Sequence, residues 1–157
     1  MSSSYVSAVS NFLEFNVAKM DGVDLGCGDF QVGSSIRPYC RRYVACDIVP
    51  SLIDYNNQMY SGDFRCLDIC SDPLPQGDVA FLRQVLQHLS NEKIEQVCRK
   101  LPEYKFVIVT EHLPKTPSFL PNVDKPTGPT IRLGRANSGV VLPAPPFFTF
   151  RLQGQQY

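Results

Sequence analysis

The chain has 157 residues, a length suited to a single domain, 1–157, with one buried core. Hydrophobic residues make up 43% and charged residues 19%, which excludes a disordered chain, and no run approaches the roughly 20 apolar residues of a membrane span. Fifteen basic residues balance fifteen acidic ones, so no net field gathers nucleic acid or an anionic membrane, and neither is expected as a partner.

The first fifteen residues have no basic stretch and no continuous apolar run, so they do not read as a secretion signal, and a cytoplasmic protein is expected. Ser2 to Ser4 precede Val6, Val9, Phe12 and Leu13 at helical spacing, and Asp21-Gly22 breaks that pattern. Val23-Asp24-Leu25 then reads as a short buried strand ending in the turn Gly26-Cys27-Gly28, with Val32 and Ile36 on the following helix. The unit repeats. Tyr43 to Cys46 is a β-rich run closed by Asp47, and Pro50 to Asn57 reads as a short helix opened by proline. Phe64 to Ile69 gives a third strand, Pro73 to Gly77 a loop, and Val79 to Leu82 a fourth strand. Ser90 or Asn91 caps a helix with Ile94, Val97, Cys98 and Leu101 on one face, and Phe106 to Val109 is a fifth strand. Continuously apolar strands separated by helical segments indicate a doubly wound α/β fold with a parallel sheet covered on both sides.

Nine of the thirteen prolines lie beyond residue 100, so residues 113–157 are expected to form an irregular Pro-rich covering segment over a core of residues 5–112. Ser138 to Leu142 is a candidate sixth strand, and Phe147 to Phe150 a short aromatic run. With Pro143, Pro145 and Pro146 between them, a strand 6/7 hairpin would be incomplete. An exposed sheet edge would follow, which a homodimer could cover. The six cysteines show no paired CxxC spacing, so they read as buried thiols of a reducing compartment and no metal is expected.

In an open parallel sheet, ligands bind at the carboxyl ends of the strands. At the first such end, Gly26 and Gly28 let a ligand approach the backbone. Asp24 would repel a pyrophosphate there but attract an ammonium group. At the second, Asp47, 21 residues beyond Gly26, suits two ribose hydroxyls. A dinucleotide would also require a third glycine where Gln31 stands, which argues against a nicotinamide-dependent oxidoreductase.

VDLGCGDF at residues 23–30 and YVACD at residues 43–47 resemble the class I S-adenosylmethionine-dependent methyltransferases. The resemblance continues through Cys66-Leu67-Asp68-Ile69 and through DVAFLRQVLQHL at residues 78–89, and covers about residues 5–112. It implies a Rossmann-like sheet of order 3-2-1-4-5 and S-adenosylmethionine as cofactor. Asp24, Gly26, Cys27 and Gly28 would surround the methionine part, Asp47 would hold the ribose, and Ile48 would lie against adenine. Asp68 would accept from the adenine amino group with Ile69 beside it, and Arg83 would lie near the methionyl end.

His88 is the candidate general base, and Glu111 and His112 are candidate substrate contacts just after the fifth strand. The expected activity is methyl transfer to a small-molecule acceptor under the segment from Leu113 to Gly139. The alternative is a noncatalytic cofactor-binding or interaction module of the same fold.

Overall fold

A computed structural model of the chain describes residues 2–147 apart from 17, 117 and 135. Five parallel strands form one sheet in the order β3-β2-β1-β4-β5. They are β1 (Asp21–Leu25), β2 (Arg42–Asp47), β3 (Asp63–Cys66), β4 (Val79–Arg83) and β5 (Phe106–Thr110). The helices are α1 (Ser2–Phe15), α2 (Gln31–Ile36), α3 (Pro50–Met59) and α4 (Asn91–Cys98). None of the described helices is long and apolar enough to cross a membrane.

Alternation along the strands separates two cores. On one face, Val9 and Leu13 of α1 and Ile36 of α2 pack with Phe30, Tyr43, Ala45 and Phe81. On the other, Ile94, Val97 and Cys98 of α4 pack with Val23, Leu25, Ala80 and Leu82, joined by Val140 and Leu142 of the Pro-rich segment. β1 and β4, central in the sheet, have no exposed residue, as strands covered on both sides require.

Three boundaries differ from expectation. Asp21 and Gly22 belong to β1 instead of breaking the pattern, because both Arg41 and Arg42 ion-pair with Asp21, at 2.8 and 2.7 Å, and let its carboxylate sit at the strand start. These guanidiniums, Arg41 foremost, hold the Asp21 carboxyl well below the usual carboxylate range. β3 stops at Cys66 and not at Ile69. The Asp68 side chain accepts from the Cys70 amide at 2.8 Å and Asp72 accepts from the Asp68 amide at 2.8 Å, a local turn that competes with the ladder.

The candidate sixth strand at Ser138 to Leu142 does not form, although Ser138, Gly139, Val140 and Leu142 are buried. The buried side chain of Asn122 takes the place of a neighbouring strand. It donates to the carbonyls of Val141 and Pro145 at 2.9 and 2.8 Å and accepts from the Val141 amide at 2.8 Å. Its own φ of 57° lies in the left-handed region, which asparagine tolerates better than most residues. Asn122→Ala should therefore lower the free energy of unfolding by about 2–3 kcal/mol, from unsatisfied backbone groups plus strain. Urea unfolding measures this, and a change under about 0.5 kcal/mol, the size of an ordinary surface substitution, would show the contact to be incidental. Of the aromatic run, Phe147 packs against the α4-side core, and 148–150 lie outside the described residues.

Candidate functional site

The carboxyl ends of β1 and β2 meet at the glycine turn. The amides of Gly26 and Cys27 both donate to the Cys46 carbonyl at 2.9 Å, which pins the turn to the last residues of β2. Gly26 has φ 98°, and a Cβ there would stand 2.3 Å from a Val85 methyl, so only glycine lets the loop after β4 approach so closely. Gly28 has φ 54°, and a Cβ there would meet nothing within 4 Å; this side of the turn is open space.

Asp47 spans the turn and the start of the next loop, with one carboxylate oxygen accepting from the Gly28 amide and the other from the Val49 amide, each at 3.0 Å. Each oxygen keeps lone-pair capacity for a further donor. Asn56 of α3 donates to the Gly28 carbonyl at 2.8 Å, and its own Oδ1 is buried without a hydrogen-bond partner. Asp24 is buried beneath the turn and accepts from the Tyr43 hydroxyl at 3.0 Å. Burial pushes its carboxyl up to about 7, helped by the charge of Asp47 and opposed by the Tyr43 hydroxyl and Arg83.

Residues 23–102, just over half of the chain, match the profile of the methyltransferase domain family. The chain belongs to that family. The methyltransferase domain resembles human N-acetylserotonin methyltransferase, solved in complex with S-adenosylmethionine, at 25% identity and a TM-score of 0.52, over 60% of this chain and 30% of that one. It resembles the N-methyltransferase NodS of Bradyrhizobium japonicum WM9, solved with S-adenosyl-L-homocysteine, at 16% identity and a TM-score of 0.53, over 62% and 53% of the two chains. The plantazolicin methyltransferase BpumL, also solved with S-adenosyl-L-homocysteine, aligns at 17% identity and a TM-score of 0.57, over 72% and 48%. The domain thus spans between 30% and 53% of the length of these three relatives. No curated protein sequence matches it.

Of the residues singled out in the sequence of this methyltransferase domain, Asp24, Gly26, Cys27, Gly28 and Asp47 converge on the one turn. Burial, with the charges of Asp24 and Asp47, raises the Cys27 thiol well above its ordinary value, so it stays protonated. Ile48 lies beyond Asp47 at 60% exposure, an aliphatic surface open at the strand tip. Ile69 is different: it is buried in the core against α4. The Asp68 carboxyl is pushed up by burial, but the Cys70 amide and the charge of Lys93 outweigh this and leave it below its ordinary value. The Arg83 guanidinium lies 5.7 Å from the Tyr5 ring centroid, which brings α1 to the end of β4.

Glu111 and His112, the candidate substrate contacts, are both hydrogen-bonded within the protein. One Glu111 oxygen accepts from the amides of Val85 and Leu86 at 3.1 and 2.8 Å, and the other from the Gln87 amide at 3.2 Å. Burial still pushes this carboxyl up to about 7, against those hydrogen bonds. His112 accepts from the Gln84 side-chain amide at 3.2 Å and donates from Nδ1 to the Gln87 side-chain oxygen at 3.1 Å. Both residues fix the loop after β4. His88 ends the 3-10 turn Leu86–His88, and its imidazole has no hydrogen-bond partner among the described residues. Its carbonyl accepts from the Gly128 amide and the Lys125 ammonium at 2.9 and 3.1 Å, so the Pro-rich segment runs over this loop.

Sequence reading missed Tyr5, Tyr43, Asn56, Gln84 and Arg132. Arg132 is 2% exposed and donates to the carbonyls of Leu86, Gln87, Leu89 and Val123 and to the Asn91 side chain, at 2.7 to 3.4 Å. An arginine set between Ile131 and Leu133 was the only local sign of it. Among the described residues, no three His, Cys, Asp or Glu side chains are grouped to hold a metal ion.

Proposed function

We propose that the chain binds S-adenosylmethionine across the tips of β1, β2 and β3 and transfers its methyl group to a small-molecule acceptor on the β4 side. The observation that carries this reading is the glycine turn flanked by Asp24 and Asp47, with open space beside Gly28 and an unpartnered Asn56 oxygen behind it. The donor set suits the cofactor: carboxylates for an ammonium group and for ribose hydroxyls, and an exposed isoleucine for a purine face.

When bound, the cofactor supplies a methyl group already activated on a sulfonium. The protein's part is to orient and to exclude water. Asp24 pairs with the ammonium group, Gly26, Cys27 and Gly28 line the methionine arm, and Asp47 accepts from the ribose hydroxyls. Ile48 covers adenine, and Asp68 accepts from the adenine amino group. Ile69 supports that position from within the core. Arg83 ends β4 beside the methionine arm. His88, whose ring is unengaged, takes the proton from an acceptor that must lose one. Glu111 and His112 act by holding the loop that carries His88.

Isothermal titration with S-adenosylhomocysteine tests the binding half, and no heat at millimolar ligand would end it. Asp47→Ala should weaken that binding by about 1–3 kcal/mol, the scale of lost hydrogen bonds to a charged acceptor. Unchanged affinity would mean that the ribose lies elsewhere. Turnover of S-adenosylmethionine with any member of a small-molecule acceptor panel supports the enzyme. Binding with no turnover across the panel supports the noncatalytic module instead.

A further inference from the structure

A groove also opens on the face of the sheet, away from the glycine turn. It has a volume of about 970 Å³ and runs on the α4 side along β2 and β3, from Asp21 and Arg42 at the strand starts to Cys66 and Leu67 at the end of β3. It exists because residues 67–78 cross from β3 to β4 without a helix. That crossover is held against the end of α4, where Lys100 donates to the carbonyls of Cys70 and Asp72 and the Tyr104 hydroxyl donates to the Pro75 carbonyl. The half of the sheet face formed by β2 and β3 is left without a cover, and Val44, Leu67 and Leu74 form its apolar floor.

The groove carries more positive charge than the chain as a whole. Its charged lining is four arginines against two aspartates, in a chain whose net charge is zero. Arg41 and Arg42 both pair with Asp21, Arg41 also reaches Asp78 at 3.9 Å, and among the described residues Arg37 bonds only a carbonyl, that of Ser61. Arg65 pairs with Asp63 on the exposed strand, both about half exposed. Arg37 is thus the groove arginine with no carboxylate partner among the described residues.

β3 is also an edge strand, hydrogen-bonded only to β2, so its outer backbone groups are open to another strand. Its alternation places Asp63 and Arg65 on the groove face and Phe64 on the opposite face, among Phe30 and Tyr60. A strand added beside β3 would send alternate side chains to the arginines and to these aromatic rings.

We propose that this groove docks an extended acidic segment of a partner protein, laid along β3 with carboxylates on the arginine face and aliphatic side chains on the Phe64 face. The free strand edge supplies the backbone bonding. The Arg37 guanidinium, with the excess of arginine over aspartate around it, supplies the preference for carboxylates, which a guanidinium grips bidentately. The site is separate from the cofactor turn, so the proposal stands whether or not the chain transfers methyl groups.

Fluorescence anisotropy with a short fluorescein-labelled peptide alternating glutamate and valine tests it, beside its lysine–valine counterpart. Saturable binding of the first and not the second, weakened by salt and at least tenfold by the double variant Arg37→Glu, Arg65→Glu, is the expected result. Circular dichroism of that variant establishes that it folds, since neither arginine is buried and Arg65 makes only a surface ion pair. Failure of the glutamate peptide to bind, equal binding of both peptides, or binding unchanged by charge reversal would overturn the proposal. So would a sedimentation experiment in which the wild-type chain dimerises and the double variant does not, because a second copy would then be the occupant.

Discussion

Arg132→Met is expected to lower the free energy of unfolding by about 3–5 kcal/mol, the cost of removing one member of a buried charged network. The guanidinium is the donor for carbonyls at Leu86, Gln87, Leu89 and Val123 and for the Asn91 side chain. Methionine fills some of the volume but donates nothing, so those acceptors are left without it in a water-poor interior. Arg132→Lys should recover only part of the loss, because an ammonium lacks the planar fork that reaches several carbonyls together. The damage should also be local. Glu111 holds the amides of Val85, Leu86 and Gln87 while Arg132 holds carbonyls of the same turn, so the loop after β4 is gripped from both ends of its peptide dipoles. Hydrogen exchange should rise first at residues 84–89. Uniform acceleration across the sheet, or stability within about 0.5 kcal/mol of wild type, would refute this account of Arg132.

The second large effect concerns pH. If Asp24 pairs with the ammonium group of the cofactor, binding requires its carboxylate, and burial raises that carboxyl to about 7 in the free protein. Below pH 7 each binding event must then release a proton, so the dissociation constant for S-adenosylhomocysteine should rise about tenfold per pH unit down to pH 5 and level off above about 8. The sign is opposite for stability of the ligand-free protein. A carboxyl that binds its proton more tightly when folded favours folding at low pH, and this contribution is lost as pH rises from about 4 to 7. Asp24→Asn should abolish the slope in binding and leave weak, pH-independent affinity. A flat titration curve for the wild type would remove Asp24 from the ammonium site.

Much of the fold was legible because the physics was local. Val23 to Leu25, Tyr43 to Cys46 and Val79 to Leu82 are apolar without interruption, and that pattern demands burial on both faces. The order of the sheet and the convergence on Gly26 and Gly28 came from motif resemblance, and the sheet order proved correct. Interactions that turn on a single side chain were not legible. Asp68 ends β3 by accepting from the Cys70 amide and donating its own amide to Asp72, although Phe64 to Ile69 is apolar enough to read as a longer strand. Ser138 to Leu142 has strand composition, but Asn122 satisfies its backbone from 19 residues away.

The site divides in the same way. Asp24 and Asp47 were legible as carboxylates near strand ends beside a glycine pair, and the fold brings both to that turn. The hydrogen bonds of Glu111 were not legible, since its partners are amides 24 to 26 residues earlier. Arg132 is the extreme case, with partners as far as 46 residues back along the chain.

That separation has a consequence for biosynthesis. The turn from Leu86 to Leu89 leaves the ribosome well before the arginine that completes its hydrogen bonding, and at roughly 5–20 residues per second the interval is on the order of several seconds. During that time the sheet can assemble while this turn lacks its cationic partner. A chain ending at Ile131 and released from the ribosome should therefore hold a formed sheet whose turn is still open to proteases.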